Sequence, residues 1–64
     1  MSDRIDILYI IPRPEIGGAE RQLLKLIQGL DRRRYRPHVI CLDGGGSLLP
    51  DYQRAAESVH VIGR

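Results

Sequence analysis

The sequence predicts an α/β fold: one strand–helix–strand–helix–strand run whose three strands form a parallel sheet. Two observations carry this. Short, nearly continuous apolar runs rich in β-branched residues recur at 5–11, 37–42 and 58–62, the pattern of strands shielded on both faces. Between them lie stretches with apolar residues at helical spacing, which suit the crossover that joins parallel strands.

The first strand, Ile-Asp-Ile-Leu-Tyr-Ile-Ile at 5–11, ends at Pro12 and Pro14, neither of which can donate to a ladder. A loop follows and closes on Gly17-Gly18. A helix of about 12 residues is expected from Gly18 or Ala19. Leu23, Leu24, Ile27 and Leu30 form its apolar stripe, and Glu20 in its first turn meets the positive end of the dipole. Pro37 forbids the helix from continuing. The second strand is expected at 37–42 and stops at Asp43-Gly44-Gly45-Gly46. Ser47 is the expected cap of a second helix. Pro50 falls in its tolerated first turn, and Leu48, Leu49, Tyr52, Ala55 and Ala56 are its inward positions. The third strand is expected at 58–62.

Right-handed crossovers in one direction place both helices on the same side of such a sheet. The other side is then bare. Strands that read as buried on both faces need a cover that these residues do not supply, so the chain is expected to be part of something larger or to pair with a partner.

Composition narrows the class. At 64 residues there is room for one domain at most, and 42% apolar content is too high for a disordered tail. A domain of this size buries only about 60% of its unfolded surface. Cys41 is the only cysteine, so there is no disulfide framework, and it reads as a small core residue. Net charge is +2, with the excess in Arg32, Arg33, Arg34 and Arg36. Neither that balance nor three scattered tyrosines suggests nucleic acid. No run approaches a membrane span and the start lacks a signal-peptide shape. The expected location is cytosolic. The arginine run reads as a solvated helix end, with contact to anionic lipid as its alternative.

The segment 14–21, Pro-Glu-Ile-Gly-Gly-Ala-Glu-Arg, carries the functional expectation. Glycines between a buried strand and a helix N-terminus let the backbone adopt otherwise strained dihedrals. They also let a ligand approach main-chain N–H groups whose dipole suits phosphate. The bland alternative is a tight turn with close packing. The spacing is neither G-x-G-x-x-G nor a P-loop. Asp43, about 25 positions after Gly18, resembles the ribose-binding acid of dinucleotide folds and keeps a dinucleotide-binding half-domain open as an alternative. Gly44–Gly46 reads either as a second ligand loop or as a flexible connection. His38, at the entry of its strand, reads as structural. His60, between apolar neighbours, is not expected to be catalytic.

Ile7-Leu8-Tyr9-Ile10-Ile11-Pro12, then Ile16-Gly17-Gly18-Ala19-Glu20-Arg21 and Leu23-Leu24, resembles the start of family 4 retaining glycosyltransferases. Leu30-Asp31, Tyr35 and 38–42 resemble the helix exit and second strand of the same group. The similarity spans Ile5 to Ile62. It implies a Rossmann-like βαβαβ fragment, an incomplete part of the N-terminal, acceptor-side domain of a GT-B enzyme. By the resemblance, Gly17 and Gly18 would meet the donor phosphates, with Glu20 and Arg21 as nearby cleft residues. The donor would be a nucleotide-diphosphate sugar, the acceptor a saccharide, lipid or other molecule, and the chemistry metal-independent with no cofactor. The basic and acidic residues that the family uses on sugar and phosphate have no counterpart in these 64 residues. No catalytic residue is assigned, and the chain alone is expected to transfer no sugar.

Overall fold

A computed structural model describes residues 3–14 and 17–63. The element order is β1 (Ile5–Ile11), α1 (Gly18–Gln28), β2 (Tyr35–Cys41), α2 (Leu49–Ala55) and β3 (Ser58–Val61). The three strands form one sheet in the order β1-β2-β3, and both pairings are parallel. The fold is therefore the α/β, Rossmann-like βαβαβ arrangement that the sequence predicts.

Register follows from side-chain parity. Ile11, Val39 and Cys41 turn to one side and join Leu24, Ile27, Leu48, Tyr52 and Ala55 in a single core, with Tyr9, Leu23, Leu49, Ala56 and Val59 packed against it. Both helices thus lie on that side. The opposite side carries Leu8, Ile10, Leu42 and Ile62, between 50% and 68% exposed. Among the described residues nothing covers this face of the sheet, as the crossover argument requires.

Several boundaries differ from expectation: α1 ends at Gln28, before Leu30 of its expected stripe, and β2 ends at Cys41 rather than Leu42. β2 begins at Tyr35, two residues early, because Tyr35 and Arg36 pair with Ile5 and Asp6. Pro37 then lies inside the central strand, where a missing N–H normally breaks a ladder. In an extended chain the N–H and C=O of a residue point the same way. The Pro37 carbonyl accepts from Glu57 N at 2.7 Å on the β3 side, so its nitrogen faces the space before β3 starts. Ser47 does not cap α2. Leu48 holds that position with no side-chain cap, and its N–H donates instead to Pro14 O at 2.7 Å. β3 stops at Val61, although Ile62 N still donates to Cys41 O at 2.9 Å.

The helix ends are tied from both sides. Arg32 donates through Nη2 to the carbonyls of Ile27, at 3.3 Å, and of Ala55. One guanidinium therefore meets the negative poles of α1 and α2 together. Of the arginine run, this residue is engaged in holding helices rather than solvated. At the other end of α1, the buried Tyr52 hydroxyl donates to Glu20 O at 2.5 Å.

Candidate functional site

The carboxyl ends of β1 and β2 open into the segments 12–14 and 42–48, and these are zipped together. Leu42 N donates to Ile11 O at 3.0 Å, Asp43 N to Pro12 O at 2.8 Å and Leu48 N to Pro14 O at 2.7 Å. Asp43 folds its own loop by accepting from Gly45 N at 3.0 Å, and it faces Arg13 at 3.7 Å. The Arg13 guanidinium lies so close over Gly45 that a Cβ there would fall 2.8 Å from its Nη2. Gly44 is similarly crowded by Val61, 2.9 Å from where a Cβ would be. Two of the Gly44–Gly46 glycines thus make room for specific neighbours. Asp43 is spent on its own turn and on Arg13.

Gly17 and Gly18 sit at this edge, at the N-terminus of α1. Gly17 is the cap, with φ −123° and ψ 170°, and offers no side-chain hydrogen bond to the first turn. The first intrahelical bond runs from Arg21 N to Gly17 O at 3.0 Å. The N–H groups before it have no partner within the helix. None of the described glycines has a positive φ. The strained-dihedral reason for the pair does not hold, and the close-approach reason remains. A Cβ on Gly18 would meet nothing within 4 Å, whereas one on Gly17 would fall 2.6 Å from Glu20 Oε1. The Glu20 carboxylate therefore folds back over the glycine turn. It is an internal anion near the positive pole of the helix. Arg21 points outward, exposed, and forms no side-chain hydrogen bond or ion pair among the described residues. Glu15 and Ile16, the first part of the motif, lie outside the described residues.

The edge thus brings together Gly17, Gly18 and Glu20 at α1, and Arg13, Asp43 and Gly45 at the paired loops. Arg13 went unnoticed in the sequence because a lone arginine between two prolines carries no motif. Only the pairing of the loops reveals its position. No group of three or more His, Cys, Asp or Glu suited to a metal occurs among the described residues. No helix there is long and apolar enough to cross a membrane.

The other candidates fall elsewhere. Cys41 is fully buried, and that burial pushes its thiol pKa up. His60 is exposed on the bare face. His38 is at the amino end of β2, between Ser58 and Asp6. Comparison with known proteins finds no matching family model, no matching curated protein and no matching solved structure.

Proposed function

We propose that these residues form the acceptor-side N-terminal part of a GT-B-type glycosyltransferase, with the N-terminus of α1 receiving the diphosphate of a nucleotide-sugar donor. The observation that carries this reading is the Gly17–Gly18 turn. It opens a helix at the carboxyl edge of a parallel sheet, where such folds bind ligands, and it has open space over Gly18. The backbone N–H groups of Gly17 and Gly18 hold the phosphate. Glu20 must swing from its place over Gly17 as the donor enters, because two anions cannot share one helix pole. Arg21 lies outward at the cleft side. The chemistry needs no metal if charge on the leaving diphosphate is met by helix dipoles and basic side chains. The acceptor is a saccharide, lipid or other molecule held partly by this domain.

The bare sheet face favours a second component. Its cover is a donor-side domain or further layer of the same protein, or a partner chain. With that cover missing, the 64 residues bind diphosphate weakly and transfer no sugar. A purely non-catalytic binding module would show the same bare face without any anion preference at α1.

Gly18→Pro tests the site. Proline is tolerated at the first helical position, and the extended Gly17 already has the backbone that precedes proline. The substitution removes one donor while leaving the helix. Affinity for inorganic pyrophosphate, read from amide shifts, should fall roughly tenfold, the worth of one hydrogen bond to a charged group. An unchanged affinity would remove Gly18 from the site.

A further inference from the structure

At the opposite end of the sheet, on the bare face, four side chains form a continuous chain across all three strands. Arg36 Nη2 donates to Asp6 Oδ2 at 3.0 Å. Its Nε lies 2.8 Å from Asp6 Oδ1, close but too poorly aligned to be a hydrogen bond. Asp6 Oδ1 meets His38 Nε2 at 2.9 Å, and His38 Nδ1 meets Ser58 Oγ at 2.8 Å. The sheet register sets this up, since Asp6 pairs with Arg36 and His38 with Ser58.

The chemistry fixes the direction of these bonds. An ionised carboxylate only accepts, so Nε2 of His38 carries the hydrogen. In neutral imidazole the other nitrogen is then an acceptor. With the ring in that neutral form, Ser58 donates its hydroxyl proton toward Nδ1. Asp6 orients the ring, and its hydrogen bonds with His38 first and Arg36 second hold its pKa below the usual carboxylate value. A hydroxyl bonded to a base that is itself oriented by a third group is the arrangement that activates a serine. Beside it, Leu8 and Ile10 lie 55% and 62% exposed, a landing surface for an apolar chain.

We propose that Ser58 is a base-activated nucleophile that takes an acyl group from esters of short apolar acids. Ser58 Oγ bonds to the ester carbonyl carbon, and the bond from that carbon to the leaving oxygen breaks. The hydroxyl proton passes to His38 Nδ1 and from there to solvent, while the leaving group departs as the alkoxide or phenolate. Asp6 and Arg36 are positioning residues. No enclosed cavity adjoins the cluster among the described residues, so the reaction is a single acylation of Ser58 rather than rapid turnover. This site is separate from the glycine turn and stands or falls without it.

Ser47 is the internal control, exposed and with no histidine partner among the described residues. The chain is treated with p-nitrophenyl butyrate, and the adducts are located and timed by mass spectrometry. Acylation of Ser58 should outrun that of Ser47 on the order of a hundredfold, the lower range of general-base assistance. His38→Gln should erase the difference, with folding checked by circular dichroism. The charged and titratable groups around the imidazole are Asp6 on β1, Arg36 on β2 and His60 on β3. Equal rates at Ser58 and Ser47, or a Ser58 rate untouched by His38→Gln in a folded chain, would each overturn the proposal.

Discussion

Asp6 is the residue whose titration reports on folding. Its depressed folded pKa means that, as pH falls, the unfolded chain takes up the proton first. The stabilising contribution is complete above the ordinary Asp value of about 4, and it fades as pH drops through the lower folded value. Thermal midpoints of the chain and of Asp6→Asn should therefore differ at pH 6 and converge in acid. A gap that stays constant with pH would show that Asp6 acts by shape alone. In the sequence Asp6 only interrupts an apolar run. Its partners are about 30 positions away, and register, not local pattern, brings them to it.

Elements show where local signals suffice and where they do not. The apolar run of β1 and the stripe of α1 are dictated by nearest neighbours; β1 stands where its pattern puts it, and α1 starts where expected but ends at Gln28, short of Leu30. The start of β2 depends on what β1 offers to pair with, which a linear reading of Tyr35-Arg36-Pro37 does not contain. The same holds for α2. A serine before an apolar run signals a cap, yet here the backbone bond from Leu48 to Pro14 sets the entry. Tyr52 is legible as an inward position. That its hydroxyl holds the first turn of α1 is not. Tyr52→Phe should cost about 1 kcal/mol by losing that bond, a fall in Tm of about 4–8 °C for a domain this small. Calorimetry measures it, and an unchanged Tm would mean that the two helices are joined by packing alone.

At the scale of the whole molecule, the unequal faces of the sheet are the governing fact. Apolar residues lie on both sides, but the two crossovers leave helices on only one of them, and the bare side also carries Asp6, Arg36, His38, Ser58 and His60. That asymmetry follows from connection handedness and was legible before any coordinates. The glycine turn was legible too, as a motif with an expected place in the fold. Arg13 and the fold-back of Glu20 were not, because both depend on loops meeting in space. The faces make a differential prediction. Ile27 is fully buried under α1, so Ile27→Ala should cost roughly 2–5 kcal/mol. Ile10, 62% exposed on the bare face, should accept Ile10→Lys within about 0.5 kcal/mol. Urea midpoints compare the two. A large loss from Ile10→Lys would mean that the bare face is already packed in solution, against a second copy or another segment.

The most direct test of the account is an amide-resolved NMR titration of the chain with uridine diphosphate, inorganic pyrophosphate and a nicotinamide dinucleotide. Binding by the phosphates alone predicts the same amides moving with uridine diphosphate and with pyrophosphate, centred on Gly17, Gly18 and Ala19, with dissociation constants of roughly millimolar size. Shifts that appear only with the dinucleotide and centre on Asp43 would contradict the donor-diphosphate reading and make this a dinucleotide-binding half-domain.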